Sequence, residues 1–432
     1  MRMWEEELTR RSLLRLGLAS AAVAAIPRPL RRVAHAATTT PRLLVAFFAD
    51  GGWDVTQVLD PHDPADATDG VDVDVPESVT GIPPSVLATV GGITYVSNPV
   101  ARPAVDTFFA KWAGRTAVVN GINTRSTSHD QSRQLVLTGY LDPTKADFAV
   151  MAANHNGPDL PLPHLQLSGP SYSGPFAGLS SRVGGQLAEA LAFDDIPSHS
   201  NPGSHQRGVS RVGEQAIRRA LASVRAADSG GILAGRLAQF DEANVRGDKL
   251  VALADALPDG FGTGTELATA LGTAFRAGMT TSVTVNTVGG FDTHSDNQDQ
   301  NGRWDELFGF LDEFVTALAA QPGVGGGSLL DQTTIVYCSE FGRSPQLNGS
   351  NGKDHHPWTS MLFIGKGVHG GTTFGRTDGS QEGVKTSFAT GRPDDTGLVI
   401  DVTNVVAGIV TLMGANAGDY LPTVKPFTAM IA

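Results

Sequence analysis

The sequence specifies an α/β protein: a mostly parallel central sheet with helices on both faces and a helical insertion or cap. Three observations lead there. Continuous apolar or β-branched runs recur at 43–49, 116–119, 282–287, 333–337 and 361–364, as expected of strands buried on both faces. Segments with helical spacing fall between them, at 101–112, 131–137, 267–277, 304–318 and 401–413. This alternation is the pattern of crossover units, which lay helices against a parallel sheet.

The composition agrees. A chain of 432 residues that is 41% hydrophobic and 18% charged can bury a large core. Its net charge of -12 argues against nucleic acid and anionic membrane surfaces as partners. Cys338 is the single cysteine, so no internal disulfide forms, and its place in a strand predicts an inert thiol.

Residues 1–36 read as an address. Thr9-Arg10-Arg11-Ser12-Leu13-Leu14 is a twin-arginine pattern, followed by an Ala-rich apolar run over 16–26 and by Ala34-His35-Ala36, a small-x-small cleavage site. The twin-arginine translocation machinery is the expected partner. The protein is expected to be exported already folded, to the periplasm, cell envelope or exterior. That run is too short to span a bilayer, and no later run reaches the required length.

The domain is expected over 37–432. Strand 43–49 runs into Asp50-Gly51-Gly52-Trp53-Asp54, where glycines permit a sharp turn and carboxylates sit at the strand's end. The acidic stretch 60–77 reads as a solvated loop rather than a calcium site, because it lacks EF-hand spacing. Residues 120–129 read as a polar turn. Residues 140–205 are rich in Gly, Pro and Ser, and 206–256 carry helical patterns at 214–226, 233–243 and 249–256. Together they predict an insertion or cap over 140–265.

Acidic and imidazole side chains gather at the strand ends: Asp50 and Asp54; His129 and Asp130; Asp292 and His294; Glu340; then Asp354, His355 and His356. In a parallel sheet the carboxyl ends of the strands share one edge, so these groups can converge. Clustered carboxylates repel without a cation, and this donor set suits a divalent metal, zinc or manganese first. His355 and His356 cannot point the same way in an extended chain.

The segments FADGGWD, RSTSHDQSRQLVLTG, GGFDTH and SEFGRSPQLNGSNGKDHHPW resemble those of the domain-of-unknown-function-1501 family, across roughly 42–413. That family is placed in the alkaline phosphatase-like, sulfatase-like superfamily. The resemblance implies that fold and an exported metal-dependent hydrolase of phosphate or sulfate esters, acting on a small anionic substrate. It implies metal ligands at Asp50 or Asp54, Asp292, His294, Glu340 and His355, with His356 as second choice and Asp354 beside them. The superfamily's Ser, Thr or Cys nucleophile falls on His129, with Ser128 and Thr127 just before it. Its late Asp-His pair falls on Glu340-Phe341, and phenylalanine cannot ligate. Arg125, Arg133 and above all Arg343 are candidates for holding an oxyanion. The altered nucleophile position also admits a second expectation, a degenerate hydrolase acting as an exported binding or envelope-assembly protein.

Overall fold

The computed structural model describes residues 42–65, 69–182, 196–198, 201–206, 219, 223 and 262–432. The leader expected at 1–36 and the helices expected at 214–226, 233–243 and 249–256 lie outside them, positions 219 and 223 apart.

In chain order the strands are β1 (Leu43–Ala49), β2 (Val86–Val90), β3 (Ile93–Ser97), β4 (Thr116–Asn123), β5 (His164–Gln166), β6 (Ser180–Arg182), β7 (Ile196–Ser198) and β8 (Asn201–Gln206). They continue with β9 (Ser282–Asn286), β10 (Thr333–Ser339), β11 (Gly342–Arg343), β12 (His355–His356), β13 (Trp358–Gly365), β14 (Thr372–Phe374) and β15 (Ile400–Asp401). The longer helices are α1 (Pro103–Trp112), α2 (His129–Thr138), α3 (Phe148–Asn156), α4 (Gly264–Arg276), α5 (Asp299–Ala320) and α6 (Val402–Leu412).

Nine of the described strands form one sheet, ordered β14-β4-β13-β10-β1-β9-β5-β6, with β15 also paired to β4. Among the described strands only β13 runs antiparallel to its neighbours β10 and β4; the other pairings in this sheet are parallel. The mostly parallel sheet expected from the sequence is therefore the one observed.

β1 is buried along its whole length, and its alternate residues serve two cores. Leu43, Val45 and Phe47 pack with residues of α1, α4 and α5, while Leu44, Ala46 and Phe48 pack with residues of α2, α3 and α6. Helices thus cover both faces. Burying Phe47 and Phe48 on opposite sides contributes roughly 2–3 kcal/mol each.

β4 is longer than the 116–119 run expected, because polar residues inside it find partners. Asn120 donates its Nδ2 to Leu59 O at 2.9 Å, and the β4–β13 pairing continues to Asn123↔Trp358. The acidic stretch after β1 is also not wholly solvated. Asp60 and His62 are buried, and His62 bridges Asp69, at 2.5 Å, and Thr377, at 2.8 Å.

Register sets the site. Ala49 pairs with Ser339 and Phe48 with Asn286, so β1, β9 and β10 release their chains at the same sheet edge. From β4 the chain runs through 124–128 into α2.

Candidate metal centre

Two glycines bring the loops at this edge together. Gly51 has φ +117°, and a Cβ there would sit 2.6 Å from the backbone N of Asp292. Gly52 has φ +78°, and a Cβ there would strike the Phe341 ring at 2.2 Å. The turn after β1 can therefore lie directly against the loop after β9 and the ring after β10.

Asp292 is the focus. His355 Nε2 lies 3.1 Å and His294 Nε2 3.3 Å from its Oδ1, and His129 Nε2 lies 3.4 Å from its Oδ2. The ligand atoms of His129, Asp292 and His355 all lie within 4.8 Å of one another. His294 Nε2 is 3.0 Å from His355 Nε2. Donors about 2.0–2.2 Å from a tetrahedral zinc stand roughly 3.3–3.6 Å apart, close to these separations.

The far side of each ring fixes its tautomer. His129 Nδ1 meets Glu340 Oε1 at 2.8 Å, His355 Nδ1 meets the Thr127 carbonyl at 2.8 Å, and His294 Nδ1 meets Asp354 Oδ1 at 2.9 Å. Carboxylates and carbonyls only accept, so each Nδ1 is the protonated donor and each Nε2 faces Asp292. Asp292 is also an acceptor, so without a metal the same rule puts a proton on His355 Nε2, 3.1 Å from its Oδ1; a divalent ion among Asp292 and these Nε2 atoms, two of them only 3.0 Å apart, would take the place of such protons. The residues present fit a divalent metal.

Phe341, which cannot ligate, forms the wall of this cluster. Its ring centroid is 4.3 Å from that of His355 and 4.9 Å from that of His129. Burial works against the charged form of Asp292, but the contacts with Arg343 and His355, and the Arg343 charge, outweigh it and hold its pKa at about 2.

Several residues expected at the site stand elsewhere or do something else. Asp54 is fully buried away from the cluster. It accepts from Lys353 Nζ at 2.9 Å, Asn297 Nδ2 at 2.8 Å and Thr56 Oγ1 at 2.6 Å, and it caps the turn at Val55–Gln57. Asp50 stands at the edge, half-exposed, with its Oδ1 taken by Arg133. Glu340 is fully buried and orients His129 rather than facing the Nε2 atoms. Asp354 likewise stands behind His294. His356 pairs in register with Gly342 beside Arg343↔His355 and turns away from the cluster, and burial lowers its pKa.

Arg343 is fully buried. It donates Nε to Gly52 O at 2.7 Å, Nη1 to Lys353 O at 3.0 Å, and Nη2 to Gly51 O and to Asp292 Oδ1. It is a brace for the Gly51-Gly52 turn and Asp292, with four of its five N–H donors committed, rather than an open anion clamp. Arg125 is tied to Gly139 O, Thr403 and Asp401. Ser128 is the exposed N-cap residue of α2, without a side-chain capping bond.

A polar cleft of about 460 Å³ opens beside Asp292, lined by Gly290, Thr293, Ser295, Asp299, Gly302 and Arg303. Arg303 was not singled out from the sequence, because nothing in a helical Arg-x-x-Glu spacing distinguishes a cleft wall from a solvated face.

Residues 279–416 match the model of the family described as "Protein of unknown function (DUF1501)". The matched segment carries Asp292, His294, Glu340, Arg343 and His355, and the matched family is the one that the sequence motifs resemble. No curated protein sequence matches the chain.

Among solved structures, the chain is similar to a protein in the alkaline phosphatase superfamily from Vibrio parahaemolyticus, at 10% identity over 91% of this chain and 71% of that one, with a TM-score of 0.39. It is similar to lipooligosaccharide phosphoethanolamine transferase A, an integral membrane protein from Neisseria meningitidis, at 8% identity over 97% and 66%, with a TM-score of 0.36. It is also similar to a Bacteroides thetaiotaomicron protein of glycosaminoglycan metabolism, at 10% identity over 90% and 76%, with a TM-score of 0.33. No helix among the described residues is long and apolar enough to cross a membrane.

Proposed function

We propose that this protein is an exported metal-dependent hydrolase of phosphate or sulfate esters. The observation that carries the reading is the set of three imidazoles whose Nδ1–H groups are tied back to Glu340, Thr127 and Asp354 while their Nε2 atoms converge on Asp292. His129, Asp292, His294 and His355 would hold zinc or manganese. Such an ion supplies Lewis acidity toward an ester oxygen. The ester class comes from the family resemblance.

The chain's own residues then have distinct tasks. Glu340 and Thr127 hold two rings in one tautomer, and Arg343 keeps Asp292 ionised and aimed. The cleft toward Arg303 takes the part of the substrate beyond the ester, and its polar lining favours a hydrophilic group. The attacking oxygen comes from water or from Ser128 at the head of α2, since His129 is committed at both nitrogens. Export rests on the twin-arginine leader. Replacing Arg10 and Arg11 with Lys should retain the protein in the cytoplasm on fractionation.

The direct test is elemental analysis of protein purified without added metal, followed by turnover on a panel of phosphate and sulfate esters. Stoichiometric zinc or manganese, lost in His355→Ala, is the expected result. Protein that contains no metal and takes up none on titration overturns the reading and leaves a binding protein on a hydrolase fold.

A further inference from the structure

The edge carries a second carboxylate pair, Asp50 and Glu340, which both the resemblance and the strand-end placement marked as metal ligands. Helix α2 decides what neutralises it. His129 and Arg133 are four residues apart, so they share a face of α2. His129 turns one nitrogen to each half of the edge: Nδ1 to Glu340 at 2.8 Å and Nε2 to Asp292 at 3.4 Å. Its ring is the partition between two charge clusters.

On the Asp50 side the positive charge is already covalently attached to the protein. Arg133 donates both Nε, at 3.1 Å, and Nη2 to Asp50 Oδ1, and its Nη2 lies 3.7 Å from Glu340 Oε1. Its Nη1 also reaches Asp130, at 3.4 Å. Glu340 has little capacity left. Oε1 accepts from His129 and from Gly51 N at 3.0 Å, and Oε2 from Ser339 Oγ at 2.9 Å. A carboxylate offers about four lone-pair positions, and here three are taken before Arg133 is counted. A guanidinium stays charged at any working pH and suits carboxylate geometry.

We infer that Arg133 is the resident cation of the Asp50–Glu340 half, so that the protein takes one exchangeable divalent ion, at the Asp292 half alone. The inference rests on the metal reading above and adds to it the ion count and the device that sets it. It also gives Asp50 a role: it anchors Arg133 rather than a metal.

The test is ion stoichiometry. Metal-free full-length protein is titrated with zinc and, separately, manganese by calorimetry, and the bound ion is counted by elemental analysis after desalting. The unaltered protein should bind one equivalent. Arg133→Gln, which removes the charge from two adjacent carboxylates, should bind two, the second more weakly. Arg133→Lys should stay at one, and so should Asp50→Asn. Thermal melts identify any variant that has failed to fold, and the Lys and Asn variants keep the comparison interpretable if Gln does not fold. Two equivalents in the unaltered protein, one in a folded Arg133→Gln, or loss of the ion in Asp50→Asn each overturn the inference while leaving a metalloprotein. No uptake at all by the unaltered protein has a different signature: it removes the metal reading and this inference with it.

Discussion

Asp54→Ala separates a structural carboxylate from a ligating one. Asp54 and Lys353 are both fully buried and form a 2.9 Å ion pair. Asn297 and both the amide and hydroxyl of Thr56 also donate to this carboxylate. Alanine would leave the Lys353 ammonium with Thr56 Oγ1, at 3.1 Å, and no counter-charge. Breaking a buried pair from one side costs about 3–5 kcal/mol, because the remaining charge is stranded in low dielectric. Unfolding entropy of about 2.1 cal/mol/K per residue over roughly 390 residues gives ~0.8 kcal/mol/K, so a loss of ~4 kcal/mol should lower Tm by about 5 °C. The assay is a thermal melt of metal-free protein, paired with metal analysis of the same variant as purified. The expected outcome is a lower Tm with the metal content unchanged. An unchanged Tm with the metal lost would refute the assignment and return Asp54 to the ligands.

The other expectations follow from the same contacts. Glu340→Gln should keep the fold but loosen His129, lowering metal affinity about 10–100-fold by calorimetry, as orienting partners of metal-bound histidines commonly do. Arg303→Ala should raise KM for a substrate with an anionic leaving group and leave Tm unchanged, because among the described residues its one ion pair is an exposed 3.4 Å contact with Glu306. Ser128→Ala should retain turnover if water attacks and abolish it if the hydroxyl does, with metal content unchanged in both cases.

Stability should also fall in alkali. Burial opposes the charge on His62, but hydrogen bonds and charges from Asp60 and Asp69 outweigh it and raise its pKa from 6.5 to about 9. A raised folded-state pKa stabilises fully below the unfolded value and fades as pH rises through the folded one. Roughly 2–3 kcal/mol should therefore be lost between about pH 6.5 and 9, and His62→Asn should flatten that part of the denaturation profile.

Much of the architecture was legible because it depends on local pattern. β1 and β10 are uninterrupted apolar runs that belong only in the middle of a covered sheet. Their shared edge makes Asp292, His294 and His355 readable as a group from the sequence. The rest depended on partners distant in sequence. Asp54 and Asp50 are equivalent in the primary structure; only Lys353, arriving from a much later loop, makes one of them a core ion pair. Arg343 looked like an anion clamp because its targets are backbone carbonyls, which no residue letter reveals. The continuation of β4 through Asn120 was hidden for the same reason, since polar letters imply a turn until their hydrogen-bond partners are known.

Cys338 offers a use of its own. The thiol is fully buried in β10, with Sγ 3.7 Å from Phe47 O, and burial pushes its pKa well above the ordinary thiol range. A thiol reagent can reach it only after the central strands separate. It is also the sole cysteine, so each labelling event counts one opening of the sheet without interference from disulfide exchange. It lies two residues before Glu340. A ligand that binds only the closed sheet should slow labelling by a factor of about 1 + [L]/Kd. The unmodified chain therefore carries its own clock for the strand that supports the metal centre.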